Sequence, residues 1–435
     1  MPSNPVSAGP PAAAPSPMTR VRWWVLGMVF FATTINYLDR IVFSVLIPVI
    51  REDLKLTDQT YGNLNSAFQF AYTIGFLFMG KLVDRYGTRV GYAVSIGFWS
   101  LAAAMHATAR SAFSLGVWRA MLGLGEAGNF PAAIKAVAEW FPKRDRAFAT
   151  GIFNAGSNVA SMIGPPLFAW MLTDMGITWQ ACFFVTAASG FFWLGIWWMT
   201  QRDPEVHPAV NKAELAYIRS DAPETERKIG WTECLKHRET WGFAIAKFLT
   251  DPVWWFYLYW LPPYLYDVRK LDLKSIGWAL PVVYLMADFG SVGGGWLTSF
   301  LIRRGWDHAK ARKTSLLVCA ALMPIASLAA LAESTVVAVG LISIATAAHQ
   351  GLSANLYTTI SDVFPKRAVA SAIGIGGSFG GLGGTLFSGA LAGFVVTHFG
   401  YTPLILTMGW MHLIAVLVVH KLMGNLRPIE LKENL

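Results

Sequence analysis

Four charged residues stand inside stretches of the chain that are otherwise apolar. Asp39 and Arg40 close the run Asn36-Tyr37-Leu38-Asp39-Arg40, and Arg119 and Glu126 lie seven residues apart further on. An arginine presents a planar fork that grips a carboxylate through two hydrogen bonds and keeps its charge at any physiological pH. A carboxyl group gains or loses one proton and changes charge as it does so. Arg40 and Arg119 are therefore candidates for holding an organic anion, and Asp39 and Glu126 for carrying a proton. Asn36, Tyr37 and Arg40 fall within about one helical turn, so polar groups converge with the cation. Glu126 is two turns from Arg119, about 10.5 Å along the axis. That is too far for a direct pair and suits residues lining one pathway. The plainer alternative is structural: each arginine ties helices together through an acid, Asp39 forms a permanent salt bridge, and Glu126 is a hydrogen-bonded clamp.

A second group is less charged. Lys247 and Asp251 stand at i and i+4, the spacing of an intrahelical ion pair, and Lys247 is also a candidate contact to an anionic ligand. Trp254, Tyr357 and Ser378 in the second half, with Trp255, Tyr259 and Asn355, could grip hydroxyls and ring faces. Tyr72, Asn154 and Ser157 could add hydroxyl contacts from the first half. Packing explains about half of these aromatics equally well. Asp288 and His349 read as satisfied interior groups. Asp84, Arg85, Arg89, Glu139 and Arg146 belong to a rim where ion pairs would lock one face shut, or simply set topology. Neither a metal-spaced His/Cys set nor a nucleophile elbow is found, so a membrane enzyme is disfavoured and no cofactor is expected. The glycine-rich run Gly374–Gly384 lies in an apolar span and reads as close packing and bending, with no phosphate cradle.

The elements that position these residues follow from composition. The chain has 435 residues, 54% hydrophobic and 14% charged, with a mean hydropathy of +0.44. A soluble domain carries roughly a quarter of its residues as charge. Lipid must therefore cover much of the surface. Apolar runs of about 20 residues or more are long enough to cross a bilayer core. Twelve spans are expected near 22–48, 58–82, 88–108, 113–138, 145–172, 178–200, 240–266, 274–302, 312–332, 335–361, 367–397 and 401–422. The first is too long for a signal peptide and stays as a helix. At that depth an ionisable group costs about 2.5–3.5 kcal/mol, which is why those found there are functional by default.

Net charge is +9. The basic residues cluster in alternate loops, whereas the opposite loops hold only Arg51, Lys55, Arg110, Arg269, Lys270 and Lys274. By the positive-inside rule both termini are cytoplasmic, and the charge needs no nucleic-acid partner. Cys182, Cys234 and Cys319 are too few and scattered for a disulfide framework. The expected divisions are a disordered tail (1–20), a six-helix half (21–200), a cytoplasmic linker (201–239), a second half (240–423) and a tail (424–435). An internal repeat supports the halves. Phe141-Pro142-Lys143-Arg144 recurs as Phe364-Pro365-Lys366-Arg367, and Asp84 and Arg89 match Asp307 and Arg312 at the same offset.

The loop Gly80-Lys81-Leu82-Val83-Asp84-Arg85-Tyr86-Gly87-Thr88-Arg89 resembles the signature of the major facilitator superfamily. Asn36 to Arg40, Arg119 to Ala127 and Glu139-Trp140-Phe141-Pro142 resemble its anion:cation symporter family. The stretch Lys247 to Trp255, Ala348-His349-Gln350 and Ser361 to Phe364 look most like the bacterial hexuronate transporters of that family. The resemblance covers roughly residues 20–425. It implies an all-α membrane protein of twelve helices in two six-helix halves, and a proton-coupled symporter importing sugar acids by alternating access. It further implies that the two arginines bind the substrate carboxylate or couple to it, and that Asp39 and Glu126 carry the proton. An inner-membrane monomer is expected. Other organic anions such as galactonate, glucarate or phthalate remain open as substrates, and a channel is a more distant alternative.

Overall fold

The computed structural model describes residues 17–220 and 231–429, apart from the side chains of a few helical residues, Asp84 among them. Residues 1–16, 221–230 and 430–435, which include most of the expected N-terminal tail and half of the C-terminal one, lie outside the described residues. Among the described residues every regular element is helical.

The first half contains α1 (Val21–Leu54), α2 (Asp58–His106), α3 (Ala112–Glu126), α4 (Asn129–Trp140), α5 (Lys143–Thr173) and α6 (Trp179–Thr200). Helix α2 has 49 residues. It would extend about 74 Å as one rod, more than twice the bilayer core. It is two spans joined without a loop, and the break falls at Gly87, whose φ of 78° and ψ of 166° are open essentially to glycine alone. Helices α3 and α4 form one span, interrupted at Ala127-Gly128 just past the Glu126 carboxylate.

The second half contains α9 (Arg238–Asp267), α10 (Leu273–Arg303), α11 (His308–Leu322), α12 (Ala326–Leu331), α13 (Thr335–Val363), α14 (Lys366–Gly383), α15 (Leu391–Phe399) and α16 (Thr402–Leu422). A 3₁₀ turn at Met323–Ile325 joins α11 to α12 as one span. A π-helical segment, Gly384–Ala390, joins α14 to α15 as another, bent where Gly389 leaves helical geometry. The glycine run Gly374–Gly384 is itself mostly regular helix, and the bend falls just beyond it at Gly389. Counted this way the spans number twelve, matching the expected set, although α1 runs on to Leu54.

Seven stretches are long and apolar enough to cross a membrane on length and composition. The other spans are both parts of α2, α3 with α4, α5, and α9, and they include the ones that carry Arg119, Glu126, Lys247 and Asp251. Loop residues cap several spans by accepting the first free amides: Thr57 from Thr60, Thr178 from Ala181, Asp272 from Ser275 and Asp307 from Lys310. Asp307, the repeat counterpart of Asp84, is thus a helix cap.

The segment between the halves carries α7 (Lys212–Ile218) and α8 (Trp231–Cys234). Glu214 is fully buried and accepts bonds from Thr19 Oγ1 (2.6 Å), the Val21 and Arg22 amides (both 3.1 Å) and Arg22 Nη1 (3.2 Å). It caps the start of α1. Residues 17–20, expected in a disordered tail, are therefore fastened to the linker. Tyr217 donates to Asp145 at 2.6 Å, whereas Thr240 Oγ1 donates to the Cys234 carbonyl at 2.6 Å. One part of the segment is docked on the first half and the other on the second.

Candidate functional site

Two of the charges singled out in the sequence, Arg40 and Glu126, meet behind the aromatic lining of one cavity between the halves. Arg40 of α1 and Glu126 of α3 form an ion pair through Nε and Oε2, at 1% and 0% exposure. Arg40 Nη2 also donates to Asn36 Oδ1 at 3.2 Å. Its guanidinium lies 5.4 Å from the ring centre of Phe68, and three further aromatic faces hold the cation: Tyr37 at 4.8 Å, Tyr72 at 4.6 Å and Trp255 at 5.6 Å. Those three residues line the cavity, which measures about 580 Å³, within the range of small-molecule sites. Asn154, Asp251, Tyr357 and Ser378 line it too.

Arg119 is placed differently. It is fully buried, stacks 4.4 Å from both Phe43 and Phe68, and donates through Nη2 to Asn65 Oδ1 at 3.2 Å. Its Nε and Nη1 have no partner, and it does not line the cavity. Asp39 is also fully buried; it lies near Thr186 of α6, and neither of its oxygens has a hydrogen-bond partner. A permanent salt bridge at Asp39, one alternative read from the sequence, is not found among the described residues. Glu126 Oε1 is likewise unpartnered.

Three expected contacts stand away from the cavity. Trp254 stacks on His349 (5.7 Å, 10°) inside the second half, and its neighbour Trp255 takes the cavity face instead. Consecutive residues on a helix point about 100° apart, so only one can do so. Ser157 turns back to donate to the Asn154 carbonyl at 2.7 Å. Lys247 lies behind the wall, paired with Asp251 at 2.7 Å. His349 bonds His412 at 2.9 Å, a satisfied interior group as read from the sequence. Asp288, read the same way, is half-buried on α10 and has no hydrogen-bond or ionic partner among the described residues. A larger groove of about 880 Å³ lies outside this arrangement, lined by Lys310, Lys313, His420 and Arg427 at one end of the second half.

The cavity is closed at the end carrying the few basic loop residues. There Arg51 Nη2 donates to both oxygens of Asp267 at 2.7 Å, its Nη1 bonds Asp58, and Tyr401 donates to Asp267 at 3.0 Å. Tyr61 donates to the Tyr259 carbonyl (2.6 Å), Ser66 to that of Thr385 (2.6 Å), and Lys274 pairs with Asp174 (3.0 Å). Gly62 lets α2 approach α15 so closely that a Cβ there would lie 2.7 Å from Gly393 Cα. Between described residues, the bonds joining the halves lie at this end or at mid-depth, as with Tyr259 and Gln69 (3.3 Å). The cavity lining extends toward the opposite, basic end through Ile134, Thr150, Ile373 and Gly374.

Residues 29–306 match the Major Facilitator Superfamily. The chain belongs to this superfamily. It is 31% identical over 419 residues to the hexuronate transporter of Escherichia coli K12, covering 95% of this chain and 96% of that one. It is 30% identical over 434 residues to a probable galactarate/D-glucarate transporter of Bacillus subtilis strain 168, covering 95% and 94%. Among solved structures, a bacterial homologue of the human lysosomal transporter Spinster, inward-facing and occupied, superposes with a TM-score of 0.72 at 18% identity. That match covers 93% of this chain and 95% of the other, and shows the same fold. Superfamily membership makes the chain a carrier rather than an enzyme.

In this major facilitator fold the rim residues make several bonds within the first half, and the Glu139 carbonyl also accepts from Arg219 of the linker at 3.4 Å. Glu139 accepts from Thr88 at 2.6 Å, while Arg89 reaches the Trp198 carbonyl at 2.8 Å and its ring at 4.8 Å. Arg146 donates to the carbonyls of Phe141 and Ala138, both at 3.1 Å, and Arg85 lies over Tyr86. The Asp84 side chain lies outside the described residues. In the second half Arg312 bonds Asp362 at 3.0 Å, and these two are the repeat counterparts of Arg89 and Glu139. Sequence reasoning missed Asn65, Gln69 and the Arg51–Asp267 closure. Arg51 did carry a signal, as one of the few cations in the basic-poor loops.

Proposed function

We propose that the protein is a proton-coupled symporter that imports sugar acids, hexuronates first, across a bacterial inner membrane by alternating access. The hexuronate transporter relative supports the substrate class, and the galactarate/D-glucarate relative supports related sugar acids as the next candidates. The observation that carries the coupling is the buried Arg40–Glu126 pair just behind the cavity-lining rings of Tyr37, Tyr72 and Trp255. An arginine bound to Glu126 is not free to grip a substrate carboxylate. A proton placed on Glu126 neutralises it and releases the guanidinium, which then takes the substrate anion in its place. Loss of the substrate and of the proton on the inside restores the pair. Proton and anion therefore load and unload together.

Asp39, buried with both oxygens unpartnered, supports a second proton-holding role, because an unpaired charge at that depth is costly. Arg119 is the reserve cation behind Phe43 and Phe68. Tyr37, Tyr72, Asn154, Tyr357 and Ser378 meet the hydroxyls, and Ser157, Lys247 and Trp254 act from behind that wall. The basic loops support cytoplasmic termini, a cytoplasmic linker over 201–239 and hence an inward-facing cavity. Arg85, Arg89, Glu139, Arg146 and Asp84 then form the inner rim that closes when the outer end opens. One bundle encloses the whole cavity, which supports a monomer. Uptake of labelled glucuronate and galacturonate into proteoliposomes, with and without an inward proton gradient, tests the reading. Accumulation only with the gradient is expected; no uptake of either by folded protein would refute it.

A further inference from the structure

The second wall of the cavity carries an acid that the coupling scheme does not use. Lys247, Asp251, Trp255 and Tyr259 stand four residues apart along α9 and form one stripe down a helix face. Lys247 is buried, with its Nζ 2.7 Å from Asp251 Oδ1 and 4.2 Å from the ring centre of Tyr357. Asp251 is 18% exposed and lines the cavity, whereas Lys247 does not. Gly380 of α14 leaves the room for Oδ2, since a Cβ there would lie only 2.1 Å from that oxygen. A lysine behind and a glycine opposite thus set the carboxylate. The pair is neutral as a whole, but it turns its negative member toward the ligand space.

Arg40 stands behind the aromatic lining of that space, 5.6 Å from Trp255, which is itself one turn from Asp251, about 6 Å along the axis. A buried cation behind the aromatic lining and an anion at the cavity surface thus act on the same small-molecule volume. A sugar acid with a single carboxylate places it toward Arg40 and offers hydroxyl donors to Asp251, a carboxylate that only accepts. An acid with a carboxylate at each end sets its second anion against Asp251, where low dielectric strengthens the repulsion. Specificity frequently rests on such a repulsive element.

We propose that Asp251, positioned by Lys247 and Gly380, makes the cavity select monocarboxylate sugar acids over dicarboxylate aldarates. This rests on the sugar-acid reading above and names which acids the site excludes. Neutralising Asp251 does more than remove repulsion. It leaves Lys247 as an uncompensated cation beside the cavity, so exclusion of the second carboxylate becomes attraction.

The test is competition binding to the purified full-length protein at pH 7. Wild type should bind galacturonate at least tenfold more tightly than galactarate, and galactarate monoamide at least tenfold more tightly than the diacid. In Asp251→Asn the galacturonate-to-galactarate ratio should move at least tenfold toward the diacid, and adding Lys247→Met should reverse that shift. A wild type that binds the diacid as well as its monoamide would overturn the proposal. So would an Asp251→Asn protein that binds galacturonate with the ratio unmoved. If the variant does not fold, the monoamide comparison in wild type still decides. A wild type that binds no sugar acid would instead overturn the transport reading, and the first titration reveals it before any variant is made.

Discussion

Arg40 and Glu126, 86 residues apart in the chain, meet as an ion pair that solvent does not reach. Glu126 is thereby bound to a different span from the one that carries it, while its own helix keeps Arg119 two turns away beside Asn65. The first half therefore holds one paired arginine just behind the aromatic cavity lining and one partly satisfied arginine beside Phe43 and Phe68. Substitutions at these two residues of the same type should differ accordingly in their effects on stability and binding.

Removing one partner of a buried pair leaves an uncompensated charge and costs about 3–5 kcal/mol, whereas replacing both with apolar groups is near neutral. Arg40→Ala and Glu126→Ala should each lower the unfolding temperature in detergent clearly. Arg40→Met combined with Glu126→Leu should recover most of that loss while transporting nothing. A double variant as unstable as either single one would contradict the pairing.

Arg119 keeps one hydrogen bond to Asn65 and two aromatic contacts. Asn65→Ala removes a bond to a charged group, worth about 1.5–3 kcal/mol, and should reduce substrate affinity roughly tenfold or more in equilibrium binding. Arg119→Ala should abolish binding. Equal affinities in Asn65→Ala and wild type would show that Asn65 does not position the arginine.

The closed end rests on Arg51 bridging Asp58 and Asp267, a pair only partly shielded from solvent at 15% and 29% exposure. Partial exposure limits its worth to about 1 kcal/mol. Arg51→Ala should raise labelling of a cysteine placed in the cavity from that side by about fivefold. Gly62→Val should raise it further, because a Cβ there meets the Gly389 carbonyl at 2.6 Å and α15 cannot close. Unchanged labelling in both variants would contradict this end as a gate.

Glu214 satisfies the first amides of α1 from the linker. Glu214→Ala should cost about 1–2 kcal/mol of stability, as loss of a helix cap does, and leave the KM for transport unchanged. A changed KM with unchanged stability would assign the linker to the transport cycle instead.

Much of this arrangement is legible in the sequence because lipid imposes hard limits. Each span needs a long apolar run, and each buried charge stands out against it, so Arg40, Arg119, Asp39 and Glu126 are visible without coordinates. Partner choice is not. Spacing within one helix rules out Arg119 as the partner of Glu126, but only packing between α1 and α3 supplies Arg40. Rotation about a helix axis is hidden for the same reason, which is why Trp255 rather than Trp254 faces the cavity. Asn65 escaped because an uncharged amide carries no comparable penalty. Span 3 follows span 2 without a loop because Gly87 turns the chain by itself, a role that no apolar pattern signals.

The central claim is that Glu126 carries the proton and releases Arg40 to the substrate. It is tested most directly by Glu126→Gln in proteoliposomes, comparing uphill accumulation of galacturonate under an inward proton gradient with exchange across vesicles at equal pH. The neutral amide mimics the protonated acid, so exchange should persist near the wild-type rate while gradient-driven accumulation is lost. Full accumulation in the Glu126→Gln protein would contradict the account and place the proton elsewhere, with Asp39 the next residue to test.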